Sequence, residues 1–229
     1  MHWINELLDH VGIRVYRKNT YSHSLLSYSQ EGEDMILRRI FDGRQNGFYV
    51  DVGAHHPQRF SNTYYFYLHG WKGINIDAMP GGMEQFNAIR SQDINLEIAI
   101  SKERKELTYY MFDEPALNSF DEELSRSRDK TAYNIIGKKI IVTKTLAEVL
   151  DEHLPPNRQI DFLSVDVEGL DLEVLESNEW SRYRPYCVLV ECTDHNLEDA
   201  GRNTVYRYLK ERGYDLFAKT ANTFIFTTR

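Results

Sequence analysis

Acidic residues stand at or beside the ends of four short runs of β-branched and aromatic residues. Asp51 follows Phe48-Tyr49-Val50, Asp77 follows Gly73-Ile74-Asn75-Ile76, Asp166 follows Phe162-Leu163-Ser164-Val165, and Glu191 follows Val188-Leu189-Val190. Such runs read as buried strands. A carboxylate at the end of one is costly unless it meets a cation or a hydrogen-bond donor, so four along one edge point to a polar ligand site. Glu168 lies just after Asp166, and Asp194 and His195 just after Glu191. Carboxylates and an imidazole are suitable ligands for Mg²⁺ or Mn²⁺. A cation of that kind, or a nearby base, would help a hydroxyl group lose its proton. Asp166, Glu168 and Glu191 are therefore candidate metal ligands, and Asp166, His195 and His55 candidate bases. Sugar hydroxyls or turn amides are the other partners open to Glu168 and Glu191.

The elements that must position these groups alternate between strand and helix. Helical periodicity covers residues 30–41, 61–68, 83–89, 145–151, 170–177 and 204–212. Strands are expected over 47–53, 73–77, 96–100, 106–112, 139–143, 160–166 and 186–191, with a closing hairpin from 214–218 and 223–227. That alternation predicts a doubly wound α/β sandwich on a mostly parallel sheet, the hairpin adding one antiparallel strand. Ligands of such sheets bind beyond the carboxyl ends of the strands, where the acids lie.

The first strand turns through Asp51-Val52-Gly53-Ala54, with one glycine in place of the three that let backbone approach a pyrophosphate. His55-His56-Pro57 follow at once and would crowd a diphosphate. Asp77 lies 24 residues after Gly53, a spacing suited to an acid that accepts from ribose hydroxyls. A ligand with a ribose and no phosphate fits both observations, and S-adenosylmethionine fits better than NAD. Ser61-Asn62-Thr63 opens a helix with good N-cap chemistry, so Ser61 or Asn62 serves either the cap or a ligand. One of His55 and His56 is expected beside cofactor or substrate, with a surface histidine as the plainer alternative.

The chain has 229 residues, 41% hydrophobic and 27% charged, which excludes disordered and fibrous classes. A net charge of −8 argues against a general nucleic-acid binder. The sign reverses locally, where Arg126, Arg128, Lys130, Lys138, Lys139 and Lys144 face only Asp129. Arg126 and Arg128 are candidates for gripping a phosphate on the substrate, against the alternative of a solvated loop. Cys187 and Cys192 lie too far apart along one strand for a disulfide, which suits a reducing, cytoplasmic setting. No apolar run is long enough to span a bilayer, and no signal peptide is recognisable. Residues 1–27 are expected to form a helical cap, peripheral membrane contact being the alternative. A homo-oligomer is compatible with all of this.

Several motifs in order resemble one family. Tyr28-Ser29-Gln30-Glu31-Gly32-Glu33-Asp34, Phe48-Tyr49-Val50-Asp51-Val52-Gly53-Ala54-His55, Ser61-Asn62-Thr63-Tyr64, Gly70-Trp71-Lys72-Gly73-Ile74-Asn75-Ile76-Asp77, Ser164-Val165-Asp166-Val167-Glu168-Gly169 and Val190-Glu191-Cys192 are similar to FkbM-type methyltransferases. The resemblance implies a class I methyltransferase fold over residues 28–229, with an acceptor-side insertion at about 113–138. It also implies S-adenosylmethionine as cofactor and O-methylation, often of a sugar in a glycan or a lipid- or nucleotide-linked saccharide. Carried over by position, Gly53 and Ala54 should lie against the cofactor, with Asp51 in the same motif, and Asp77 and Ala78 at its ribose. Gln30, Glu33 and Asp34 should fold over it, while Asn62 and the pair Asn118-Ser119 are further candidates for contact. Arg126, Arg128, His56 and Glu168 are left for the acceptor, a saccharide or phosphorylated sugar. Asp77-Ala78-Met79-Pro80 departs from the family's acid-Pro-Asn pattern while keeping the acid. Two other classes remain: an NAD-dependent sugar oxidoreductase or epimerase, disfavoured by the missing three-glycine loop and Tyr-x-x-x-Lys pair, and an inactive fold kept as a binding module.

Overall fold

The computed structural model describes residues 23–192 and 201–228. Its main sheet has seven strands: β1 (Phe48–Val52), β2 (Lys72–Asp77), β3 (Ile94–Glu97), β7 (Phe162–Val165), β8 (Cys187–Glu191), β9 (Tyr214–Lys219) and β10 (Thr223–Thr228). They lie in the order β3-β2-β1-β7-β8-β10-β9. β10 runs antiparallel to both neighbours, and the other adjacent pairs are parallel. This is the expected α/β class I sandwich. The strand order reverses between β1 and β7, and their carboxyl ends open onto the site.

Alternation along the central strands divides the core in two. On one face Leu37 of α1 (Glu33–Ile40), Phe66 of α2 (Tyr64–Leu68) and Trp71 cover Tyr49, Phe162, Leu189 and Ile225. On the other, α5 (Leu146–His153), α6 (Asp171–Glu176) and α7 (Thr204–Glu211) set Leu146, Val149, Val174, Leu175 and Leu209 against Val50, Val52, Leu163, Val165 and Val190. Each such aliphatic side chain removed from water contributes about 1.5–3 kcal/mol, so the strand ends rest on a rigid base. α5 starts on a reciprocal capping box between Thr145 and Glu148.

Two expectations change in detail. The strand over 96–100 divides: β3 ends at Glu97, and β4 (Ala99–Ile100) leaves to pair with β6 (Ile135–Lys144) in a second sheet. The break falls at Ile98, whose N–H is drawn to the Asp77 carbonyl. β6 begins four residues earlier than expected, at Ile135 rather than Lys139. Exposed Ile136 and Ile140 hide its pattern, because its hydrogen bonds to β5 (Glu106–Phe112) hold it as a strand. β5 and β6 flank residues 113–134, which carry a 3₁₀ turn (Pro115–Leu117), α3 having already followed β2 as Met83–Ile89, and then α4 (Glu122–Arg128). Cys187 and Cys192 are buried and form no disulfide. The N-terminal cap falls almost wholly outside the described residues.

Candidate functional site

A cavity of about 200 Å³ opens at the carboxyl ends of β1, β2 and β7. Gly53, His55, Asp77, Ala78, Asp166 and Glu168 line it, joined by Gln30 from the loop before α1. Met79 and Ile98–Ile100 continue the wall on the β2 side. Tyr109 of β5 and Pro115, Ala116, Leu117, Asn118 and Phe120 close it from above.

Gly53 has a φ of 83°, and a Cβ there would stand 1.6 Å from the carbonyl oxygen of Asp166. The glycine is thus required first by the close approach of β7, and the open path to a ligand comes second. Asp77 accepts the His55 N–H on Oδ2 at 2.9 Å and the Met79 N–H on Oδ1 at 2.7 Å. Burial raises its pKa from the ordinary aspartate value despite those bonds. Each oxygen keeps a lone pair for a hydroxyl. His55 adopts a left-handed φ of 51°, and its Nε2 is buried without a hydrogen-bond partner. Burial lowers its pKa, so the imidazole is neutral at pH 7.

Asp166, Glu168 and Glu191 each offer a carboxylate oxygen within 4.8 Å of the others. Asp166 is open to the cavity yet ringed by protein; enclosure, followed by the charges of Glu191, Asp171 and Glu168, holds its carboxyl well above the usual range. Glu191 is pushed up to about 8, chiefly by burial and then by Glu168 and Asp171. Three carboxylates this close call for a proton, a cation or a ring of hydroxyl donors. Glu168 stands in a left-handed turn at φ 54°, and its Oε2 is 2.6 Å from Nη2 of Arg128.

Other expected site residues hold the scaffold together. Asp34 is fully buried, where it accepts from Ser27 Oγ, the Tyr28 N–H and Ser29 Oγ. Glu33 accepts from the Glu31 N–H and from Thr220 Oγ1, tying α1 to the turn between β9 and β10. Gln30 is the member of that motif that reaches the cavity. Asp51 lies beneath the floor and accepts from Thr63 Oγ1 at 3.0 Å, while burial raises its pKa. Ala54 packs with Met83 and Phe86. Asn62 donates to Ser164 Oγ, and Ser61 Oγ accepts the N–H groups of Thr63 and Tyr64. Ser119 donates to the Glu168 carbonyl, so its neighbour Asn118 takes the place at the cavity.

His56 turns away from the cavity, its Nδ1 accepting the N–H groups of Gln58 and Arg59. Arg126 pairs with Glu122 on its own exposed helix face, away from any cavity wall. His195 lies outside the described residues. Sequence reasoning missed Tyr109 and Phe120, which carry no motif and reach the cavity from the second sheet and its loop; Met79, in the stretch that departs from the family pattern, was not singled out. Burial and nearby Asp77 raise the Tyr109 phenol's pKa, so it stays protonated and able to donate.

In sequence, the model of the methyltransferase FkbM domain matches residues 51–216. No curated protein matches the chain. Among solved structures, a precorrin 8W decarboxylase from Methanobacterium thermoautotrophicum is similar at 12% identity and a TM-score of 0.47, over 90% of this chain and 94% of that one. A TehB-like SAM-dependent methyltransferase from Corynebacterium glutamicum is similar at 10% identity and a TM-score of 0.42, over 100% and 98%. With the family match spanning most of the chain and the cavity framed by its motifs, this chain belongs to the FkbM methyltransferase domain family and is an S-adenosylmethionine-dependent methyltransferase.

Proposed function

We propose that this methyltransferase is an O-methyltransferase whose acceptor is a sugar hydroxyl in a glycan or a carrier-linked saccharide. The observation that carries this reading is the trio of carboxylates, Asp166, Glu168 and Glu191, at the edge of the cavity. Carboxylates accept hydrogen bonds from hydroxyls, and a base among them can take the proton that an alcohol must lose. The resemblance of the ordered motifs to FkbM-type enzymes agrees. A phosphate on the acceptor finds less support, because Arg126 and Arg128 are both paired with glutamates.

When bound, the methyl donor supplies an electrophilic sulfonium methyl, and the protein supplies placement. Asp77 holds the ribose hydroxyls, Gly53 leaves the backbone open, and Tyr109 and Asn118 face the base. Asp166 receives the acceptor's proton, with neutral His55 as the second base in reach of the cavity. The same trio suits Mg²⁺ or Mn²⁺ by ligand type and spacing; such an ion would lower the acceptor hydroxyl's pKa. The reduced thiols of Cys187 and Cys192 support a cytoplasmic setting.

The test is to incubate the enzyme with isotopically labelled S-adenosylmethionine and pooled saccharide intermediates, then follow the products by mass spectrometry. Gain of one labelled methyl on a sugar hydroxyl is the expected result. Label on nitrogen or on a non-sugar acceptor would replace the reading. Activity that survives exhaustive chelation would leave the proton to Asp166 or His55 without a metal.

A further inference from the structure

Residues 113–134 lie over the cavity as a roof, and two ion pairs tie that roof to opposite sides of its mouth. On one side Arg59, from the loop that carries His55 and Phe60, reaches Glu114 with Nη1 to Oε1 at 3.2 Å. On the other, Arg128 at the end of α4 reaches Glu168 Oε2 at 2.6 Å. Glu168 is held a second time, since its carbonyl accepts from Ser119 Oγ at 2.7 Å. Arg128 also donates from Nη1 to the Leu117 carbonyl at 3.4 Å, so one guanidinium joins the roof turn, α4 and the turn after β7. Between the two pairs the roof presents Pro115, Leu117, Asn118 and Phe120 to the cavity.

The size of the cavity gives these pairs a consequence. At about 200 Å³ it is smaller than the roughly 300–1,000 Å³ of pockets that enclose ligands of drug size. A nucleoside carrying a methionine arm belongs to that size class, so the walls must part to admit it. The floor is the packed end of a seven-stranded sheet and cannot yield cheaply. The roof hangs between two strands of a small separate sheet and meets the floor side mainly through these polar contacts, with Asp121 and Leu124 of its last turn and helix beside Gly169. It is therefore the wall that moves.

We infer that Arg59 and Arg128 are positioning residues of the methyl-donor site: their pairs with Glu114 and Glu168 clasp residues 113–134 over the donor, and exchange of the donor requires both clasps to open. The inference rests on the assignment of this cavity to the donor. It also gives Arg128 a role other than gripping an acceptor phosphate. The pairs differ in exposure, with 48% and 31% for the side chains of Arg59 and Glu114 against 24% and 19% for Arg128 and Glu168. The Arg128 clasp is the stronger of the two, because water and salt screen it less.

The experiment measures release of labelled S-adenosylhomocysteine from the full chain, chased by excess unlabelled compound after rapid mixing. Arg59→Ala, Arg128→Ala, the double variant and Arg128→Lys are compared with wild type. Hydrogen exchange of residues 113–134 is followed in the same proteins without ligand. The double variant is expected to release the compound about tenfold faster and to exchange faster through the roof. Arg128→Ala should have the larger single effect, and Arg128→Lys should recover part of it. Added salt should speed release from wild type and leave the double variant nearly unchanged. The swap Arg59→Glu with Glu114→Arg should return release close to the wild-type rate. A folded double variant with release within twofold of wild type and an unchanged roof would overturn the clasps alone. Failure of wild type to bind S-adenosylhomocysteine would overturn the donor assignment, and this inference with it.

Discussion

Asp77 accepts one backbone N–H on each oxygen, so it organises the His55 and Met79 loops as well as facing the ribose position. Asp77→Ala would therefore free both loop N–H groups, whereas Asp77→Asn keeps one acceptor oxygen and loses the other, so it disturbs one loop and is the milder variant. It should weaken S-adenosylmethionine binding by about 1.5–3 kcal/mol, the worth of a hydrogen bond to a charged group, read by titration calorimetry. Its melting temperature should change little by comparison; unchanged affinity would remove Asp77 from the ribose. Asp166 is the complementary case, because its carboxyl is assigned to the acceptor's proton. Asp166→Asn should lower kcat by about 10²–10⁴-fold while the methyl donor's Kd stays near wild type. Near-normal turnover in that variant would exclude Asp166 both as base and as metal ligand. The motif around Asp34 carries the opposite lesson. A buried acid beside a functional motif reads the same in sequence whether it meets a ligand or, as here, two hydroxyls and an amide of its own loop.

At the scale of the element, the turns after β1 and β7 are built against each other. Gly53→Ala sets a methyl group on the Asp166 carbonyl in a left-handed backbone, where only glycine is at ease. A loss of more than about 3 kcal/mol is expected in denaturant unfolding, from strain and displacement of the β7 end together. The turn after β7 is closed by Asp171 of α6, whose carboxylate accepts the N–H groups of Val167 and Gly169. Burial pushes Asp171 up to about 6 in the folded chain, against about 3.9 when unfolded. The folded state thus binds this proton more tightly. Its contribution to stability is greatest at acid pH and is lost as pH rises through about 4 to 6. Asp171→Asn should flatten that part of the stability profile, measured by urea unfolding at several pH values. An equally steep fall in the variant would place the titration elsewhere. The strand over 96–100 was legible as extended chain, but its division between two sheets was not, because the break depends on where β6 arrives.

For the whole molecule, Arg90 shows what holds the β1 side together. It is fully buried, with Nε on Asp93 at 2.9 Å, Nη1 on Thr63 Oγ1 at 2.9 Å and Nη2 on the Tyr49 hydroxyl at 2.6 Å. Thr63 in turn meets Asp51, so one cation joins α3, α2 and β1. Arg90→Met leaves Asp93 without its cation, with only Tyr49, Gly73 and Asn75 still donating to it, and should cost about 3–5 kcal/mol in chemical unfolding. A loss below about 1 kcal/mol would show that the network is replaceable. Nothing in the sequence marked Arg90, since its partners come from segments up to 41 residues away. The alternating strands and helices, the acids at the strand ends and the single-glycine turn could all be read from the chain, because periodicity and strand-end position are local properties. So could the grouping of Asp166, Glu168 and Glu191, since parallel strands must end on the same edge. Tertiary structure alone decided which polar groups are satisfied from afar: it tied Glu33 to Thr220, paired Arg128 with Glu168, and brought Tyr109 and Phe120 over the cavity. A side chain's chemistry is written in its type, but its partners are set by packing between segments distant in sequence, and a donor or acceptor consumed there is lost to a ligand.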